Sequence, residues 1–315
     1  MGFSVREFSD KHDFEIQSVS YAGRPLNNTA MYVTKKVEYL LNNLSAVREC
    51  LVFVEDTVVV PPELCDRHVF VKTPMPQKEY AAFVSRMDQE RMRRDRQRKY
   101  TLTEGGYYLG ENVTLGENVV IEPRCLIGHD VVIGDGALIK SGATIKHARI
   151  GKNFIAGENC TIGTSGFTMA DDENGDKIRI PTLGGIIIGD DVEIGCLTNV
   201  SCGSAGNTVI EDHVKVDALV HIGHDVQLHR NVELTCGTVL GGFDELHEGT
   251  FVGLNATLRN RITAGKRARI SMGSVVTKSV PDDTTVTGNF AIPHELFMKH
   301  LKESAKQNHI TEENN

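Results

Sequence analysis

Histidines gather in one stretch of this chain. His213, His221, His224 and His229 lie in or beside Lys215-Val-Asp-Ala-Leu-Val-His-Ile-Gly-His-Asp-Val226. An imidazole with a pKa near ~6.5 is well suited to take a proton at neutral pH. Gly242 follows His224 by eighteen residues. Having no side chain, it lets a ligand approach its backbone N–H, and a fixed N–H is a donor for a developing oxyanion. Asp217, seven residues before His224, is the carboxylate expected to accompany it. Two other readings stand beside this one. His224 would be a corner histidine bonded to a carbonyl, or His221, His224 and His229 would ligate zinc as neutral imidazoles. Their spacing does not stack the three on one face, so no metal is expected.

These residues sit inside a longer rhythm. Aliphatic side chains recur every six residues at Leu109, Leu115, Ile121, Ile127, Ile133, Ile139 and Ile145. An irregular patch follows, with Ile150 and Ile162, and the series resumes at Ile188, Ile194 and Val200. After a slip of four near residues 203–207 it holds for twelve consecutive sites, from Ile210 to Val276. Six is neither a helical nor a simple strand period. It fits a solenoid whose coil has three flat faces of one hexad each, with coils ~4.8 Å apart and joined by parallel ladders. Eighteen residues then make one coil, so Gly242 stacks above His224 while Asp217 falls on an adjacent face. Glycine, Asp and Asn beside the inward residues (Gly128-His129, Gly134-Asp135, Gly189-Asp190) suit corners with unusual dihedrals.

The rhythm occupies residues 102–288 and is interrupted by an external loop at 164–186. Long loops on rigid scaffolds tend to carry function. Residues 1–76 alternate short apolar stretches with a helix-like stretch, and read as a small α/β domain. Residues 77–101 read as a linking helix, apolar at Tyr80, Phe83, Val84 and Met87 and basic in the second half, RMRRDRQRK. That half is either a solvated connector or a face for an acidic carrier. Residues 289–315 read as a short helix and a tail.

Composition narrows the classes. The chain has 315 residues, 30 glycines, no tryptophan and a formal net charge of −8. An acidic chain is a poor phosphate neutraliser, so no nucleic-acid partner is expected. The first residues have no apolar stretch like a signal peptide, and no run of ~18 apolar residues suggests a transmembrane segment. The seven cysteines are scattered without a CxxC pair, as reduced thiols in a cytoplasmic protein would be.

The hexads resemble those of the hexapeptide-repeat acyltransferases. That resemblance implies a mainly β chain, wound as a left-handed parallel β-helix and assembled as a homotrimer. More specific stretches are similar to the UDP-3-O-acylglucosamine N-acyltransferases of lipid A synthesis. They are Ile162-Gly-Thr-Ser-Gly-Phe167, then Ile180-Pro-Thr-Leu-Gly-Gly-Ile-Ile-Ile-Gly-Asp-Asp-Val-Glu-Ile-Gly195, then Asn207-Thr-Val-Ile210, Lys215-Val-Asp217 and His221-Ile-Gly-His-Asp-Val226. The resemblance implies His224 as catalytic base and Gly242 as the oxyanion donor. It also implies substrate contacts from His221 and from Ser165, Gly166 and Phe167 of the loop.

Tyr32-Val-Thr-Lys-Lys-Val-Glu-Tyr39 lies where the family has its uracil-binding stretch, which makes Thr34, Lys35 and Tyr39 candidates for a nucleotide. Arg261 stands where the family has a second histidine, and Ser201-Cys202-Gly203 where it has Asp-Arg-Gly. The ending Gly273-Ser-Val-Val-Thr-Lys-Ser-Val-Pro-Asp-Asp-Thr-Thr-Val-Thr-Gly-Asn-Phe290 looks more like that of coenzyme A-dependent sugar acetyltransferases. The implied activity is transfer of an acyl group from an acyl carrier protein or coenzyme A thioester to the amine of a nucleotide-linked amino sugar. No permanently bound cofactor is implied. An acetyl-coenzyme A-dependent N-acetyltransferase of a dTDP- or UDP-amino-deoxy sugar is the nearer alternative. A non-catalytic trimeric scaffold or sugar-nucleotide sensor is the more distant one.

Overall fold

The computed structural model describes residues 2–288 and 291–312, with side chains described as far as residue 303. From residue 108 the chain winds into a parallel β-helix whose strands are two to four residues long and fall into three sheets, one per face. The usual step between paired strands is eighteen residues, as in Ile127↔Ile145 and His221↔Val239. A two-residue strand buries little alone; stacking puts each inward aliphatic on its equivalent one coil away. Ile127, Ile133 and Ile139, one on each face, and Ile145, stacked on Ile127, are fully buried.

Four departures from eighteen set the local shape, one of them the closing step of sixteen from Ile270 to Val286. The step from Ile145 to Ile162 is seventeen, which is the irregular patch in the rhythm. The step from Ile162 to Val200 is thirty-eight, because the loop is thrown out of the coil. That loop carries an antiparallel hairpin, Met169–Asp171 with Lys177–Arg179, which packs on the N-terminal region through Ala170 and Ile180. The step from Val200 to Ile222 is twenty-two, and the four-residue excess falls at the slip near 203–207.

The corners differ in one respect from the expectation. The glycine one place after each inward residue is not the left-handed position. Positive φ falls two places later, at Asn112, Asn118 and Asp130, where a short polar side chain tolerates it. A second inward column, two places before each aliphatic, is also buried; it holds Cys125, Val131, Thr238 and Asp244. Asp244 is the costly member. Its Oδ1 accepts from the Ile262 N–H, its Oδ2 has no partner among the described residues, and burial pushes its carboxyl up to about 7.

Ahead of the coils, Ser18–Val19, Thr29–Val33, Leu51–Glu55 and Val69–Thr73 form a parallel sheet in sequence order. Helix α1 (Pro76–Asp95) packs on one face of it through Tyr80, Phe83, Val84 and Met87. The 3₁₀ segment Lys35–Ala46 covers the other through Leu40, Leu41 and Leu44. Most of the basic charge at the end of α1 is paired, Arg91 with Asp88, Arg93 with Glu90, and the following Arg98 with Asp130. A second helix, α2 (His294–Glu312), ends the described chain. No described helix is long and apolar enough to cross a membrane.

Candidate active site

His224 stands at the corner after the strand His221–Ile222. Its Nδ1 lies 2.8 Å from Asp225 Oδ2 and 3.1 Å from Ser204 Oγ. A carboxylate only accepts, so the proton sits on Nδ1 and Nε2 is left with its lone pair. Asp225 is itself buried and held on both oxygens. Ser204 donates to Oδ2 from its backbone N (2.8 Å) and hydroxyl (2.7 Å), and the Ala205 N donates to Oδ1 at 3.0 Å. Ser204 and Ala205 belong to the four-residue slip, so that irregularity builds the support of the imidazole.

Two glycines flank the ring. A Cβ on Gly242 would lie 2.5 Å from His224 Nε2, and one on Gly166 would lie 2.7 Å from His224 Cβ. Gly242 is one coil along, as the register of Ile222 with Leu240 requires. Its N–H donates to no acceptor among the described residues, while the next N–H, of Phe243, donates to the His224 carbonyl. A free amide therefore lies beside an imidazole nitrogen whose one partner among the described residues is Thr168 Oγ1, 3.4 Å away.

The same corner repeats upward as Asp225, Phe243 and Arg261, all with φ between 61° and 66°. A bulky residue in this region is unusual and costs on the order of 1 kcal/mol. Here it aims two large side chains over the site. Phe243 meets the His224 ring edge to face at 5.3 Å, and the Arg261 guanidinium lies 4.3 Å from the Phe243 centroid and 5.0 Å from that of Tyr21.

Between the coils and the N-terminal sheet is a cavity of about 330 Å³. Tyr21, Tyr32, Tyr39 and Tyr80 line it from one side, and Thr168, Ser204, Phe243 and Arg261 from the other. Thr168 Oγ1 reaches to 3.4 Å from His224 Nε2. The Tyr80 hydroxyl is buried without a partner among the described residues, and burial raises its pKa, which keeps it a neutral donor.

Thr34, Tyr39 and Arg261 of the sequence candidates line this cavity; Lys35 does not. Lys35 pairs with Glu38, and the next residue, Lys36, takes the lining position. Gly166 packs on His224, but Ser165 is exposed and Phe167, 76% exposed, stacks only with Arg179 at 5.4 Å. Of that stretch it is the neighbouring Thr168 that enters the cavity. His221 points outward from its sheet, 3.2 Å from Asn199 Nδ2, and crowding together with the nearby His224 lowers its pKa.

Asp217 is a correction. Its carboxylate caps backbone N–H groups of Ala218 and Cys236 at a different corner, as seven residues, more than one hexad, dictate. Asp225 occupies the role instead, and its adjacency to His224 was the signal available in the sequence.

Comparison with known proteins places the repeat. The bacterial transferase hexapeptide (six repeats) family matches residues 112–147 and 207–242. Those stretches carry the chain's hexapeptide repeat. The chain is 34% identical over 148 residues to the UDP-3-O-acylglucosamine N-acyltransferase of Delftia acidovorans, covering 47% of this chain and 44% of that one. It is 43% identical over 97 residues to UDP-3-O-acylglucosamine N-acyltransferase 2 of Legionella pneumophila (strain Paris), covering 31% and 28%. The chain thus spans less than half the length of these curated relatives. Among solved structures, the Francisella novicida UDP-N-acetylglucosamine acyltransferase superposes with a TM-score of 0.54 at 25% identity, covering 59% of this chain and 66% of that one. The fold of this hexapeptide-repeat protein is the left-handed parallel β-helix that the resemblance implies, with few helices and a C-terminal one.

Proposed function

We propose that this chain transfers an acyl group from the thioester of acyl carrier protein or coenzyme A to the amine of a nucleotide-linked amino sugar. The observation that carries this is the pairing of His224 Nε2, which meets only Thr168 Oγ1 among the described residues, with the undonated Gly242 N–H, at the edge of a cavity walled by four tyrosines. The acceptor amine attacks the thioester carbonyl carbon, and His224 takes its proton at Nε2. The Gly242 N–H steadies the oxyanion. The C–S bond then breaks, the amide is complete, and the proton passes to the departing thiolate.

The cavity suits the nucleotide half of the acceptor. Tyr39, 65% exposed, offers a face for base stacking, and Arg261 supplies positive charge for a diphosphate. The names of the relatives support an acylated, nucleotide-linked glucosamine as the acceptor class. On this reading the chain works as a cytoplasmic homotrimer. An apolar stripe along another corner, exposed at Leu197, Leu219, Leu254 and Met272, supports that assembly.

The test is incubation with a panel of UDP- and dTDP-amino sugars and acetyl- or longer acyl thioesters of both carriers. Thiol release is followed and products are weighed by mass spectrometry. An amide product that disappears in His224→Ala supports the reading. Retained turnover in that variant sinks the mechanism, and no product from any pair sinks the activity.

A further inference from the structure

We propose that His229, Glu245 and His247 form a site for a divalent transition-metal ion of the zinc class, separate from the imidazole of His224. One donor atom from each of the three lies within 4.8 Å of the others. The coil register builds the group. Glu211, His229 and His247 stand one above another at steps of eighteen, and Glu245 lies two places before His247. The two imidazoles stack with centroids 4.9 Å apart and planes within 2°, so one ring turns about its χ2 to bring both in-plane lone pairs to a common ion.

A second observation is independent of this crowding. His229 Nδ1 is held by Glu211 Oε1 at 2.9 Å, and the other Glu211 oxygen accepts from the Arg230 N–H at 3.0 Å. Nε2 is thereby turned to Glu245 Oε1, 3.0 Å away. A carboxylate that fixes one ring nitrogen while the other faces a metal is the usual outer support of a histidine ligand. Two imidazoles and one carboxylate fit zinc or cobalt better than magnesium or calcium, which prefer all-oxygen sets. Three protein ligands leave one tetrahedral position, and one of them, Glu245, also borders a cavity of about 390 Å³.

Glu245 is also ion-paired with Arg24, which comes from the turn Tyr21–Arg24 of the N-terminal region. That guanidinium competes for the carboxylate a metal would need. The proposal therefore makes opposite predictions for the ligands and for Arg24.

The experiment uses the full chain, stripped with chelator and dialysed, then titrated with Co²⁺ while visible absorption and calorimetry are recorded. Zn²⁺ is added afterwards as competitor. One Co²⁺ per chain with a tetrahedral spectrum, displaced by Zn²⁺, is expected. His229→Ala and His247→Gln should each weaken binding by at least ~100-fold, and Glu211→Gln by about 10–100-fold, as loss of an outer-shell partner does. Arg24→Ala should tighten it. Circular dichroism and melting temperature control for folding. Absence of stoichiometric binding, binding that survives both histidine substitutions, or an affinity unmoved by Arg24→Ala would each overturn the proposal.

Discussion

The imidazole of His224 and the carboxylate of Asp225 are consecutive in the chain and 2.8 Å apart in space. Asp225 holds φ at 61°, and Ser204 and Ala205 anchor its oxygens. On the proposed mechanism His224 is a general base, a role that contributes ~10²–10⁴ to a rate, so His224→Ala should lose that much in kcat with little change in melting temperature. Asp225→Asn keeps the shape, and asparagine tolerates the left-handed corner. It should still lower kcat by at least about tenfold, because it no longer fixes the proton on Nδ1. Thiol-release kinetics against acceptor concentration separate this from a KM effect.

Gly242→Ala tests the free amide and the free nitrogen together. The new methyl would meet the His224 ring tip at 2.5 Å. That tip can swing away, so the fold should survive while the base is displaced. A fall in kcat of about tenfold or more, equivalent to ~1.4 kcal/mol in the barrier, is expected alongside an unchanged circular dichroism spectrum. Full activity would show that neither group is used.

Arg261→Met removes the charge stacked on Phe243 and Tyr21 and keeps much of the side-chain length. Cation–π contacts contribute about 0.5–2 kcal/mol. Binding of a UDP-sugar, read by calorimetry, should weaken about twofold to thirtyfold, and the loss should shrink as salt is raised.

Asp244 makes stability depend on pH. Its folded carboxyl is raised from 3.8 to about 7 by burial. The unfolded chain therefore releases this proton first, and the group's contribution is intact below pH ~4 and lost as pH rises through ~7. The loss is on the order of 4 kcal/mol at ~1.4 kcal/mol per pKa unit. Asp244→Asn should melt higher than the parent above pH ~7, with the gap closing toward pH ~4. Parallel melting curves at all pH values would show that Asp244 is solvated.

Much of this architecture could be read from the hexads, because one buried column with a fixed step leaves little freedom in how the coil closes. The step also gave the stacking of Gly242 on His224. Asp217 misled because seven residues cross a corner, and a solenoid converts small errors in position into a change of face. Asp225 went unread because side chains of consecutive residues ordinarily point apart; only a left-handed corner and a four-residue slip turn them together. Lys36, Tyr80 and Thr168 were not legible at all. They reach the cavity through packing of the N-terminal sheet and the hairpin against the coils, and no local pattern encodes such contacts. His229 and His247 are also one step of eighteen apart, so their stacking is legible from the same rhythm that pairs Gly242 with His224.

The differing coil lengths have a consequence for how such a chain can change over evolutionary time. Laps of sixteen, seventeen, twenty-two and thirty-eight residues coexist with laps of eighteen, the difference taken up between strands. Whole laps can therefore be gained or lost above residue 264, making the prism taller or shorter without disturbing His224, whereas below residue 200 the loop that carries Gly166 and Thr168 ties the coil to the imidazole. Between His224 and Gly242 no such latitude exists. Removing six residues there would carry the amide to another side of the prism, a third of a circuit away from the imidazole.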